Sequence, residues 1–150
     1  MKKKPEPSAP RSPAQAYAIG IVVAHLALSI AHGLAHSHLH IELNLLQKIF
    51  VYLVILAAPL AAGWLIWTRR LRLGGALLVV SMAAALAFGV YYHYLAPGPD
   101  NVSQTDASAP SNWRSLFDDT AMDLALLEGL GIVAGAVLFV KSRGTAQAES

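Results

Sequence analysis

Residues 16–35 read AYAIGIVVAHLALSIAHGLA. Twenty residues without Asp, Glu, Lys or Arg, at 1.5 Å per residue, match the ~30 Å hydrocarbon core of a bilayer. The run therefore predicts a membrane-spanning helix. A secretory leader would have a shorter apolar core, without histidines, followed by a small-residue cleavage site; an uncleaved anchor is the expectation here.

Composition points the same way. The 150 residues are 55% hydrophobic and 13% charged, with mean hydropathy +0.49. A soluble domain is about a quarter charged. A formal net charge of +2 gives no basis for nucleic-acid binding. The absence of cysteine excludes disulfides, thiolate metal sites and iron–sulfur clusters.

Working outward, the first fifteen residues carry four prolines among basic residues and predict a disordered tail over 1–15. A polar turn over 37–47 leads to a second apolar run at 49–67, with Pro59 near its middle as a kink. The basic turn TRRLR at 68–72 separates it from a third run at 74–96, which ends in the interfacial aromatics YYHY at 91–94. Residues 97–119 are rich in Pro, Ser, Asp and Asn, a loop in which Trp113, Leu116 and Phe117 can lie on the headgroups. A fourth run covers 120–140, and 141–150 is a polar tail. The transmembrane domain is thus 16–140, with spans at about 16–36, 49–67, 74–96 and 120–140.

Nine of the 11 lysines and arginines lie in the two tails and the 68–72 turn, leaving Lys48 and Arg114 for the other loops. The positive-inside rule then puts both termini in the cytoplasm. The expected fold class is all-α, an integral membrane four-helix bundle running up-down-up-down. In a bacterium it would be a multi-pass protein of the inner (plasma) membrane. Its expected partners are the lipid bilayer, and a membrane-protein partner or a second copy of the chain.

Function concentrates in HLALSIAHGLAHSHLH, residues 25–40, which holds five of the six histidines. On a helix, His25, Ser29, His32 and His36 share a stripe about 60° wide, whereas His38 points elsewhere. His32 and His36 are one turn apart, a spacing that lets two imidazoles meet one ion. On the expected topology His36, His93, Asp100, Asp119 and several other polar residues gather at the outer face. The candidate metal ligands are His32, His36 and His93, with Asp119 or Asp123 completing the shell. Deeper in the membrane, His25 and Glu128 are expected as buried polar partners, because an unpaired carboxylate in hydrocarbon costs at least ~2.5 kcal/mol. Gly131 and Gly135 form a small-xxx-small pair on the face of span four that carries Glu128.

This donor set suits a divalent transition metal through nitrogen and oxygen. Ranked below it is a single b-type haem between His32 or His36 and His93, or a partial proton or ion path along His25, His32, Asp123 and Glu128. A purely structural role, with His–Glu bonds holding helices together at around 0.6 kcal/mol each, is as strong an expectation as the chemical ones combined. No Walker loop, nucleophile elbow or dinucleotide fingerprint is present. A small metal-binding subunit or sensor is therefore expected rather than an enzyme.

Overall fold

The computed structural model describes residues 11–148, with side chains through 142. Most of the N-terminal tail and much of the C-terminal tail expected from the sequence lie outside those residues and side chains. Among the described residues the chain is all-helical, with four helices long and apolar enough to cross a membrane. It reads as a multi-pass membrane protein.

Helix α1 spans Pro13–His38. Ser12 caps it in a reciprocal box with Gln15, and Pro13 occupies the first turn, where its missing N–H costs nothing. The helix stops at Leu39 because His40 turns left-handed at φ 55°. A second capping box, Asn44 with Gln47, starts α2 at Leu45–Phe50. The helix continues as a π-helical stretch over Val51–Ala57 and then as α3, Ala58–Trp67. Pro59 explains the change of pitch: it cannot donate to the preceding turn, and the wider π turn makes room for its ring.

Arg69, at φ 66°, turns the chain tightly into α4, Leu71–Val90. The end of α4 also opens into a π turn over Tyr91–Leu95, and this turn carries the buried His93. The last helix, α5, starts at Ser111, well before position 120, and runs as far as Ala148.

Helix α5 packs along both α1 and α4, and α3 packs on α4 and α1. One half of the bundle has a wholly apolar core built on Ala18, Ile21, Val22, Ala62, Ile66, Leu78, Met82 and Leu138. A smaller cluster of Ala35, Ile41 and Phe117 closes the other end. Exposed Val23, Ile30, Leu53, Val80, Leu126 and Val133 coat the outside with apolar surface, as a lipid-facing wall requires.

Candidate metal centre

Three histidines converge at the end of the bundle closed by Phe117. His32 and His36 come from consecutive turns of α1, and His93 enters from the π turn that follows α4. His32 Nε2 lies 3.1 Å from His36 Nε2 and 3.2 Å from His93 Nε2. One ligand atom from each residue fits within a sphere of contacts no longer than 4.8 Å. Two nitrogens bound at ~2.05 Å to a tetrahedral ion stand about 3.3 Å apart, so the spacing is that of metal ligands.

The outer nitrogens of two of these rings are already committed. His32 Nδ1 is 2.8 Å from Thr120 Oγ1. The Thr120 hydroxyl proton goes to the carbonyls of Leu116 and Phe117, so Oγ1 accepts and His32 Nδ1 donates. His93 Nδ1 faces the Asp100 carbonyl oxygen at 2.9 Å, an acceptor, and must donate as well. A neutral imidazole has one N–H. With both protons assigned to Nδ1 by these partners, His32 and His93 present bare lone pairs to each other across 3.2 Å. That contact is repulsive between two neutral rings and is relieved by a metal ion between them or by a proton on one Nε2.

Asp100 raises the demand for positive charge. It is buried, and its Oδ1 lies at ion-pair distance, 3.2 Å, from both His36 Nε2 and His93 Nδ1. A buried carboxylate is costly unless positive charge neutralises it. The 97–104 loop holds the residue there. Gly98, at φ 147°, bends the chain back; Asn101 N–H donates to the Gly98 carbonyl and Asn101 Nδ2 to the Ala96 carbonyl, while Val102 N–H donates to the His93 carbonyl. Further along, Asp106 accepts from the backbone N–H and hydroxyl of Ser108, which hold its carboxyl below the usual carboxylate range.

Phe117 seals the cluster. Its ring stacks on His32 with centroids 5.0 Å apart and meets His36 and His93 edge-on. His38 points away from the triad and stacks on Trp113 at 3.7 Å.

Asp119 and Asp123 are exposed and do not join the group. The buried face of α5 runs through Phe117, Thr120, Ala121 and Glu128, and positions 119 and 123 fall off that stripe. His25 and Glu128 lie on the inward stripes of their helices, with His25 Nε2 3.3 Å from Glu128 Oε1 and both side chains buried. Asp100 is the member that sequence reasoning left among the residues of the outer face. Its one signal was the Pro-Gly-Pro that precedes it, a turn able to throw the next side chain back toward the bundle.

The chain matches no protein-family model, no curated protein and no solved structure. Its function is therefore argued from this geometry.

Proposed function

We propose that this protein holds one divalent transition metal ion in the membrane, bound by Nε2 of His32, His36 and His93, with the Asp100 carboxylate beside His36 and His93 as a neutralising charge. The observation that carries the reading is the convergence of three imidazoles, with His32 Nε2 3.1 Å from His36 Nε2 and 3.2 Å from His93 Nε2, beside the buried Asp100 carboxylate. Three imidazole nitrogens suit zinc, copper(II), iron or manganese. The Phe117 ring, stacked on His32 and edge-on to His36 and His93, restricts access to the group, which favours a structural or sensing role. On the positive-inside orientation, with both termini cytoplasmic and helices running up-down-up-down, the site lies near the outer face of the membrane, the inner membrane in a bacterium.

Two alternatives receive less support. Nitrogens 3.2 Å apart leave no slot for a macrocycle, since axial ligands on either side of a haem iron stand about 4 Å apart. An onward ion path would have to pass the apolar cluster of Ala18, Ile21, Ile66 and Leu78, beside which the buried Ser81 hydroxyl already donates to the Leu78 carbonyl.

The test is elemental analysis of the purified full-length protein and of the His32→Gln, His93→Gln and Asp100→Asn variants. The reading expects about one metal per chain in the parent, less than a tenth of that in either histidine variant, and a clear reduction in Asp100→Asn. A folded parent that stays metal-free after incubation with zinc and copper would refute it. The cluster would then have to share a proton instead, as an imidazolium beside Asp100.

A further inference from the structure

The opposite end of the bundle carries a different chemistry. A cleft of about 750 Å³ opens where the start of α1, the turn into α4 and the far part of α5 come together. Arg69, Arg70, Arg72 and Lys141 line it, together with the apolar side chains of Leu73 and Leu138. Among the described residues, no Asp or Glu lines it. Close by, the guanidinium of Arg11 lies 3.5 Å over the ring of Trp67, a half-exposed aromatic at the end of α3.

We infer that this cleft binds the phosphate headgroup of an anionic membrane phospholipid. Arg70, Arg72 and Lys141 supply the charge complement, and basic pockets between membrane helices are suited to such headgroups. The mixed lining favours a lipid over a soluble anion. Leu73 is exposed and Leu138 buried, so an apolar wall continues from the cations toward the hydrocarbon, where a glycerol backbone and acyl chain would follow. The cleft also lies at the end of helices of membrane-spanning length, beside a tryptophan of the kind that marks the headgroup level. Helix α4 begins here without a side-chain cap on its first turn, so its N-terminal amides add to the positive field.

The experiment uses the full chain, purified in a zwitterionic detergent and titrated separately with phosphatidylglycerol and phosphatidylcholine. Retained lipid is read by native mass spectrometry. Phosphatidylglycerol should be retained preferentially, and Arg70→Gln and Arg72→Gln should each weaken retention about fivefold, the effect of one basic residue near an anionic surface. Lys48→Gln, a charge-matched change outside the cleft, should leave retention unchanged. Thermal unfolding in the same detergent reports whether each variant is folded, and Lys141→Gln carries the test if an arginine variant is not. Equal retention of the two lipids, or variants that hold phosphatidylglycerol as the parent does, would overturn the inference. Displacement by millimolar inorganic phosphate would overturn it too, by showing that the cleft takes a free anion.

Discussion

Gly75 of α4 and Gly135 of α5 meet backbone to backbone. A Cβ on Gly75 would stand 2.7 Å from the Gly135 carbonyl oxygen, and one on Gly135 would stand 2.8 Å from the Gly75 carbonyl oxygen. The two helices can pack this closely only because neither residue has a side chain. One turn earlier in α5, Gly131 leaves room for the Met82 side chain, since a Cβ there would lie 2.8 Å from Met82 Cγ. Van der Waals packing drives helix association where lipid is as apolar as the side chains, so this crossing is a principal tie of the bundle.

Gly135→Ala should therefore lower stability by about 1–3 kcal/mol, the usual cost of forcing a methyl group into a packed interface. Gly129→Ala, with nothing within 4 Å of the new Cβ, should be neutral or slightly stabilising. Thermal unfolding in detergent compares the two, and equal losses would contradict the crossing.

The His25–Glu128 contact gives a second prediction, because each group is costly without the other. His25→Leu should destabilise by about 2.5 kcal/mol or more, since it strands a carboxylate in an apolar core. His25→Leu combined with Glu128→Leu should recover much of that loss, as replacing a buried pair with apolar residues often does. Metal content per folded chain should be unchanged in His25→Leu, because His25 contacts Glu128 and not the triad; single Glu128→Leu completes the cycle. A double variant worse than the sum of the singles would rule out the pairing.

What the sequence could show was set by the range of the interactions. The four apolar runs depend on composition over about 20 residues, and four membrane-length helices are present. The spacing of His32 and His36 is equally local. His93 needed the partner helix, and no neighbouring helix presses on α4 one turn before it, since the nearest atom to a Cβ on Gly89 is His93 Cδ2 at 3.8 Å. The π turn at Tyr91–Leu95 is what changes the helical phase around His93; Pro97 follows it at the offset at which Pro59 follows Ala57, but a proline alone does not give the phase of the side chains before it. Asp100 depends on one loop bending at Gly98, and Thr120 on the register of α5 against α1. Both are tertiary facts that residue spacing along one chain does not encode.

Thr120 holds His32 in the tautomer that leaves Nε2 free. Thr120→Val keeps the shape but removes the acceptor, and should weaken metal binding about 10–100-fold, the usual effect of losing a ligand's hydrogen-bond partner. Thr120→Ser should retain most of the affinity. Competition against a chelator of known affinity measures both, and equal binding by the Val and Ser variants would remove the hydroxyl from the site.

Acid should strip the metal. Imidazoles ligate only when neutral, and their ordinary pKa is about 6.5, so protons compete increasingly as pH falls. Binding should be pH-independent well above neutrality and drop with a slope of more than one proton per ion below it. A titration of bound metal between pH 8 and pH 5 reads the slope directly. Binding that strengthens toward low pH would be incompatible with histidine ligation.

The strictest comparison sets His36 against His38. The two are neighbours on the same last turn of α1, so composition, depth and local helix stability scarcely distinguish them. Geometry does: His36 Nε2 is 3.1 Å from His32 Nε2 and 3.2 Å from Asp100 Oδ1, whereas His38 is exposed and lies flat against Trp113. His36→Gln should cost most of the bound metal while the chain stays folded. His38→Gln should leave metal content intact and alter only the packing of Trp113, visible as a shift in tryptophan fluorescence. A role for the histidines as a solvated helix end would make both substitutions equally silent in metal analysis. Equal metal loss in both would mean that the ion is held by the exposed histidines beyond the bundle, and not by the triad beneath Phe117.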